Sequence, residues 1–387
     1  MASSNGDSHT ADRTQAESTC EQVILNLIQA TVLLVMSSVD VQYSDATSTR
    51  EKVSLYGYCD LSLPAIIDLF CRGAEEQLRE LGGEYTLVCE RPQEVTIITS
   101  PIGAIQYYYA IYNNNFFHGS RLSTILRNSK LPWAWNWRAV GDLCQLENLT
   151  ENQTLHPLIC RVPPGSLLRY KKNQLDIQSF LYVDTIPRFI ANPADAVEAL
   201  NEEVAKWAGQ NPYLSLSGGF DSRVILSAML RQGIRPHLVT TGSEDSSDVL
   251  VSGQIAAEFG LDHHIVKINL DDFFQHGKAI SDVTNGSKPA CHWHTYLYPY
   301  NAKIPPDSVF FVGTLGEFAR NYYFDRGKIG ILDNNFPDNA LRSLWHMKQG
   351  RHPTFMPHEL KYLNPRLSSE LDIRALDNRV SIFLHLC

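Results

Sequence analysis

Residues 216–223, with the sequence LSGGFDSR, constrain the fold of this chain more than any other segment. They follow the apolar run 213–216 and precede the apolar run 224–230, a pattern that predicts a strand, a glycine turn and a helix. Such a helix directs free backbone N–H groups and the positive end of its dipole at one point, which favours a phosphate. Ser217 and Ser222 add hydroxyl groups, and Asp221 offers a carboxylate to Mg²⁺. The Walker A lysine is missing, so this loop is not the one that holds a γ-phosphate in kinases and GTPases.

Composition indicates a globular protein of two domains. The chain has 387 residues, of which 44% are hydrophobic and 19% charged. Its net charge of −9 and the lack of a Lys/Arg cluster argue against a nucleic-acid partner. Eight scattered cysteines without a Cys-x-x-Cys pair are typical of a reduced, cytoplasmic protein. The apolar segment 23–36 is shorter than a membrane span of about 20 residues, so we expect a core element and no membrane contact.

The periodicity changes near residue 186. Residues 1–20 are polar and predict a disordered lead, and residues 21–185 predict a sheet-rich domain with one long helix at 63–81. Residues 186–387 predict alternating strands and helices, hence a parallel, doubly wound sheet with ligands at the carboxyl ends of its strands. The predicted strands are 85–89, 95–99, 106–110, 116–118, 167–170, 236–241, 264–268 and 308–313, and the later helices are 192–209 and 248–259, the last ended by Gly260.

The string S-G-G-x-D-S at 217–222 is the signature of the PP-loop ATP pyrophosphatases. Residues 81–88, 100–103 and 107–109 loosely match a glutamine-amidotransferase half, and residues 241–264 match the family's G…A-x-x-L-G-x-x-H-H segment. From about residue 55 onward the chain therefore resembles the asparagine synthetase family. The resemblance implies an α/β protein in which a degenerate Ntn-type αββα sandwich precedes a PP-loop domain with a doubly wound parallel sheet.

The resemblance also implies a chemistry. Members of the family use ATP and Mg²⁺ to adenylate a carboxylate, release pyrophosphate, and let an amine displace AMP to form an amide. The partners would be a small-molecule or peptide carboxylate and an amine donor, and the family allows a homodimer. The implied nucleotide contacts are Leu216, Ser217, Gly218, Gly219, Asp221, Ser222, Thr241, Val312 and Gly313. Asp221 and Glu317 would hold the metal, and Asp221, Glu317 and Arg320 would be catalytic, with a structural ion pair as the alternative role for Arg320.

Three departures from the family pattern change the expected activity. The chain starts Met1-Ala2 where the amidotransferase half has a nucleophilic cysteine after the initiator Met, and Thr99-Ser100 replaces the family's R-D. The glutamine-pocket N-G-E is replaced by YGY at 56–58, so we expect no glutaminase activity. Residues 313–320 alter the family's S-G-E-G-S-D-E, and the apolar end 381–387 leads us to expect a synthetase domain shortened at its C-terminus.

Two other functions stay open. One is a non-catalytic relative that binds a nucleotide or a protein partner, and the other is a cyclase of the lasso-peptide or β-lactam synthetase type. The segment with Cys291, His292 and His294 fits either a zinc site or the wall of the acceptor pocket, and it fits the pocket wall better. We expect the cluster Trp133, Trp135 and Trp137 to form the packing seam between the domains, and residues 262–264 to act as a helix cap. The acceptor carboxylate, the amine donor and the oligomeric state do not follow from the sequence.

Overall fold

The computed structural model describes residues 41–43, 51–180, 193–209, 211–267, 269–293, 304–305 and 308–313. We call residues 41–180 the N-terminal unit and residues 193–313 the C-terminal unit. Within these residues, no helix combines the length and the apolar character that crossing a membrane requires.

The N-terminal unit contains two antiparallel sheets. The six-stranded sheet has the order β1-β2-β3-β4-β8-β9, and the three-stranded sheet has the order β6-β5-β7. Two-residue turns with positive φ, at Asn113-Asn114 and Lys172-Asn173, join β5 to β6 and β8 to β9. The strands are β1 (Val41–Tyr43), β2 (Lys52–Cys59), β3 (Gly83–Arg91), β4 (Glu94–Thr99), β5 (Tyr108–Tyr112), β6 (Asn115–Gly119), β7 (Cys160–Arg161), β8 (Ser166–Lys171) and β9 (Gln174–Ser179).

The layers of this unit follow the order helix, sheet, sheet, helix. Helix α1 (Leu63–Cys71) and the 3₁₀ helix Glu75–Glu80 cover one face of the large sheet through a buried cluster that includes Phe70 and Tyr85. A second cluster, with Ile97 and Tyr107, fills the space between the sheets. Helix α2 (Leu122–Ser129) covers the small sheet, and α3 (Trp137–Leu146) follows it. The four-layer order is the one expected of the sandwich.

The helix expected at 63–81 was wrong in its second half. It ends at Cys71, because Gly73 adopts a φ of +69° that an L side chain rarely takes, and the chain restarts as a 3₁₀ helix. Helices α2 and α3 were not predicted from the sequence. The five strands expected in this unit are present with shifts of one or two residues at their ends.

The C-terminal unit confirms the predicted parallel sheet. Its strands have the order β12-β11-β10-β13, and all three neighbouring pairs are parallel. Helix α6 begins after Ser246, whose side chain accepts from the backbone N–H of Val249, and ends at Gly260 with a φ of +61°. The elements are α4 (Pro193–Trp207), β10 (Pro212–Ser215), α5 (Phe220–Arg231), β11 (His237–Thr241), α6 (Ser247–Phe259), β12 (His263–Val266), α7 (Leu270–Val283), the 3₁₀ helix Ala290–His292 and β13 (Val309–Phe311).

Polar groups near the C-terminal end of α7 join the two units. Arg121 donates to the carbonyl of Val283 at 2.7 Å, and Ser123 donates to the Asp282 carboxylate at 2.9 Å. The backbone N–H of Leu122 donates to the side chain of Asn285 at 2.7 Å. These contacts fix the start of α2 against the end of α7.

The tryptophan cluster does not form the seam that we expected. Trp133, Trp135 and Trp137 are 69%, 45% and 52% exposed and contact one another at the surface. One aromatic contact across the units comes instead from Tyr58, which meets Trp207 edge-on with ring centroids 4.7 Å apart. Three aromatic residues close in sequence were therefore a poor guide to the interface.

Candidate functional site

The loop at 217–222 lies where the chain reverses its direction across the parallel sheet. From β10 the chain proceeds through β11 to β12 on one side, whereas β13 lies on the other side of β10. In open α/β sheets such a reversal leaves a crevice at the carboxyl ends of the strands, where ligands bind. The carboxyl end of β10 leads into Ser217, and that of β13 leads into Val312 and Gly313. Tertiary structure thus brings two distant segments of the predicted site to one crevice.

The two serines of the loop shape the turn. The hydroxyl of Ser222 accepts from the backbone N–H of Ser217 at 3.1 Å, and the hydroxyl of Ser217 accepts from the N–H of Gly219 at 3.1 Å. The two hydroxyl oxygens are 3.2 Å apart and hydrogen-bond with each other. Both serines therefore hold the turn against the first turn of α5, where Asp221 lies.

A carboxylate already interacts with the loop. The backbone N–H of Gly218 donates to Oδ1 of Asp248 at 2.8 Å, and Asp248 is an exposed residue in the first turn of α6. An N–H group at a glycine turn that donates to an internal carboxylate is also suited to donate to a phosphate oxygen. Asp248 was not among the sequence-predicted site residues. Its position at the start of a helix after β11 was the available signal.

Gly313 permits the close approach of β13 to the loop. A Cβ atom at this position would lie 2.7 Å from the backbone nitrogen of Ser222 and 3.1 Å from the carbonyl carbon of Asp221. No ordinary side chain fits against a backbone at that distance. Glycine is therefore required where β13 passes the first turn of α5.

A polar network lies beneath the site. Thr240 donates to the carbonyl of Leu216 at 2.8 Å, and Nε2 of His263 hydrogen-bonds with the hydroxyls of Thr240 and Ser252 at 2.9 and 3.2 Å. Burial, with a smaller effect of the neighbouring His264, lowers the pKa of His263. The expected capping role of residues 262–264 was wrong, since His263 begins β12 and reaches sideways to β11 and α6. The next residue of β11, Thr241, has a buried hydroxyl oxygen without a hydrogen-bond partner among the described residues.

The described part of the chain thus places the predicted residues of the crevice in three adjoining segments. The Leu216 side chain is buried in one core cluster, and the Val312 side chain packs against a second cluster on the other face of the sheet. Both residues therefore present backbone atoms rather than side-chain atoms to the crevice. Arg223, in the first turn of α5, is exposed and donates to the carbonyl of Gly219 at 3.1 Å. Glu317 and Arg320 lie outside the described residues.

The zinc alternative receives no support from the described residues. His292 hydrogen-bonds with Glu147 of the N-terminal unit at 3.1 Å, and His294 lies outside the described part. No group of three potential metal ligands occurs among the described residues. The contact of His292 belongs to the boundary between the units.

The N-terminal unit contains a buried acid, Glu84, on β3. Glu84 accepts from the hydroxyl of Ser100 at 2.8 Å and from the backbone N–H of Ala104 at 3.0 Å. Burial raises the pKa of Glu84 to about 7, although both hydrogen bonds act in the opposite direction. Gly57, with a φ of +85°, allows β2 to pass the backbone of Glu84, because a Cβ there would lie 2.2 Å from its carbonyl oxygen. Ser100, which follows β4, thus hydrogen-bonds to a carboxyl group from the neighbouring strand β3.

One segment of the chain matches a known protein family. Residues 198–297 match the family model named Asparagine synthase, which relates this chain to the asparagine synthetase family. The matched segment includes the loop at 217–222 and Asp248. A search of curated proteins gave no match.

Two solved structures show a faint likeness. One is described as glutamine phosphoribosylpyrophosphate amidotransferase from B. subtilis complexed with ADP and GMP, at 9% identity over 59% of this chain and 63% of that chain, with a TM-score of 0.22. The other is described as the allosteric regulatory enzyme of purine biosynthesis, at 9% identity over 60% of this chain and 63% of that chain, with a TM-score of 0.23. This chain covers less than two thirds of either protein, and likeness at this level carries no argument about the fold.

Proposed function

We propose that this relative of the asparagine synthetases binds Mg–ATP at the loop 217–222 and uses it for amide-bond synthesis that forms AMP and pyrophosphate. The carboxylate of the substrate would be activated as an acyl-adenylate, which an amine then attacks. The single observation that supports this most is the loop's place at the reversal of the parallel sheet, with a carboxylate already bound to the N–H of Gly218.

The residues of the crevice fit a magnesium-bound triphosphate. The contact of Asp248 shows that the backbone N–H of Gly218 can bind an anionic oxygen. The buried hydroxyl of Thr241 would gain a hydrogen-bond partner from a nucleotide bound at the end of β11. Asp221, in the first turn of α5, has the oxygen ligands that Mg²⁺ prefers. When bound, Mg²⁺ supplies a positive charge that favours the departure of pyrophosphate.

The chain's own residues would orient and hold the leaving group. The backbone N–H groups at Gly218 and Gly219 and the start of α5 would receive the phosphates, and the two serines keep the turn in shape. Since YGY at 56–58 replaces the glutamine-pocket N-G-E of the family pattern and Ser100 replaces its Asp, we propose that the sandwich has no glutaminase activity. The amine would then be ammonia or part of a larger substrate.

Calorimetric titration of ATP, with and without Mg²⁺, tests the binding step. We expect Mg²⁺-dependent binding that Asp221→Ala abolishes and that Asp262→Ala, at a 75% exposed carboxylate beside His237, leaves unchanged. Absence of binding to the intact chain would refute the proposal. If ATP binds, release of AMP in a screen of carboxylates and amines tests the ligase step.

A non-catalytic nucleotide-binding relative is the second candidate. It is favoured by residues 313–320, where the sequence departs from the family's S-G-E-G-S-D-E. Tight ATP binding without AMP release for any carboxylate and amine would support this candidate. AMP release only with a peptide or an amino-acid substrate that carries its own amine would instead indicate a cyclase.

A further inference from the structure

A polar pocket lies between the two units, outside the crevice at 217–222. It is a small pocket that is partly open to solvent. The N-terminal unit contributes Gln106, Tyr108 and Arg161, and the turn after α7 contributes Asn285 and Lys288. Among the described residues that line it there are two cations and no carboxylate.

Arg161 is the unusual member of this pocket. It lies on β7 with only 7% of its surface exposed, and Nη2 donates to the backbone carbonyl of Glu151 at 2.9 Å. Its Nε is buried and has no hydrogen-bond partner among the described residues. Burial lowers the pKa of Arg161, yet a guanidinium remains protonated in proteins. A cation without a matching charge is therefore held inside the protein.

Nearby carboxylates do not neutralise it. Glu151 pairs its carboxylate with Arg138, with an N–O distance of 3.1 Å, and its backbone carbonyl accepts from Arg161. The buried Asp142 accepts from Thr150 and Gln153. No ion pair of Arg161 occurs within the residues that the structure describes. Burying a charge without a counter-charge is costly, so an anion in the pocket would stabilise the arrangement.

The second cation, Lys288, is held in place by the N-terminal unit. Lys288 donates to Oδ1 of Asn148 at 2.6 Å, and Asn285 holds the same turn against the N–H of Leu122. The positive charge of Lys288 therefore faces the same pocket as Arg161 from the opposite unit. A guanidinium whose Nε–H has no partner among the described residues can donate to an oxygen of a carboxylate or a phosphate.

We propose that this pocket binds a small oxyanion, as a carboxylate or phosphate group, between Arg161 of the N-terminal unit and Lys288 of the C-terminal unit. This site is separate from the proposed Mg–ATP loop, and it does not depend on the proposed function. Because its two cations come from different units, the bound anion would also stabilise the contact between them.

The test is calorimetric titration of the full chain with sodium phosphate and, separately, with sodium acetate, at constant ionic strength and without Mg²⁺ or nucleotide. We expect at least one of the two anions to bind, and Arg161→Met and Lys288→Met each to weaken that binding at least about tenfold, as is typical for loss of a hydrogen bond to a charged group. Arg72→Met is the matched control, because it removes an exposed arginine on α1 that pairs with Asp68.

The outcomes are distinct. Binding of phosphate alone or acetate alone identifies the type of oxyanion and supports the proposal. Binding that both pocket substitutions leave unchanged occurs elsewhere, and it overturns the proposal, as does the absence of binding by both anions. If Arg161→Met does not fold, the titration of Lys288→Met decides.

The stability of Arg161→Met gives a second readout. If Arg161 serves the pocket, the wild-type melting temperature rises with the concentration of the bound anion relative to chloride, and that of Arg161→Met does not. If Arg161 serves only to hold the Glu151 carbonyl, the substitution destabilises the protein and leaves its response to the anion unchanged. The second result contradicts the proposal.

Discussion

Replacing Glu84 by Gln tests whether the sandwich contains a carboxyl group that is neutral in the fold. Glu84 is 3% exposed, and its partners Ser100 and Ala104 donate to an oxygen that glutamine also has. The substitution therefore keeps the size and the two acceptor contacts while removing the ionisable group. We expect its effect on the free energy of unfolding to depend strongly on pH.

The sign follows from the raised pKa. Between the ordinary value of 4.5 and the folded value of about 7, the unfolded chain has lost the proton of Glu84 and the folded protein still binds it. Since the folded state binds more protons there, its stability falls as the pH rises. A shift of this size corresponds to roughly 3 kcal/mol once the pH is above 7.

Urea unfolding at pH 4.5, 5.5, 6.5 and 8 checks this for the wild type and for Glu84→Gln. We expect the variant to gain stability relative to the wild type by roughly 3 kcal/mol from the lowest to the highest pH. Glu76→Gln is the control. The Glu76 side chain is 72% exposed, so the same substitution there removes a carboxyl group that folding does not bury. A difference between the wild type and Glu84→Gln that stays constant over this range would refute the argument.

Three other predictions concern the crevice. Gly313→Ala should destabilise the protein by about 1–3 kcal/mol, because its Cβ would lie 2.7 Å from the nitrogen of Ser222. Gly141→Ala is the control and should not destabilise it, because a Cβ there would meet open space. Thermal unfolding measures both variants. Asp248→Asn should tighten Mg–ATP binding about three- to tenfold by removing a negative charge beside the phosphates, and weaker binding in calorimetry would contradict its role as a stand-in anion. The stabilising effect of His263, whose folded pKa lies below 6.5, is fully present above pH 6.5 and lost as the pH falls through that lowered value. His263→Gln should therefore flatten the fall in stability below pH 6.5, and equal slopes for the variant and the wild type in acid titrations of unfolding would count against it.

Several features of the fold could be predicted because they depend on neighbouring residues. The apolar run before Ser217 and the glycines after it predicted a strand, a turn and a helix, and Gly260 marked the end of α6. Helix α7 was missed although Asn269 and Asp272 form a capping box at its start, a local signal that was available. The helix at 63–81 was predicted too long because apolar spacing continues past Gly73, and spacing carries no information about a positive φ.

The pairing of distant segments could not be predicted in the same way. The sequence places Asp248 at the start of a helix after β11, but the contact of its carboxylate with the N–H of Gly218 depends on how that helix packs. Nothing near Arg161 in the sequence indicates a buried charge opposite Lys288. The tryptophan cluster failed as a seam for the same reason, since the sequence shows which residues are apolar and not which surface they face.

The sequence by itself determined the local elements and the chemistry that the loop 217–222 offers, because strand, turn and helix signals act over a few residues. Tertiary structure alone decided that β13 returns beside β10, so that Gly313 meets the first turn of α5. It also decided which charges are buried and what they contact, as Glu84 and Arg161 show. The physical reason is that burial and pairing depend on which surfaces the fold removes from water, and those surfaces come from segments far apart in the chain.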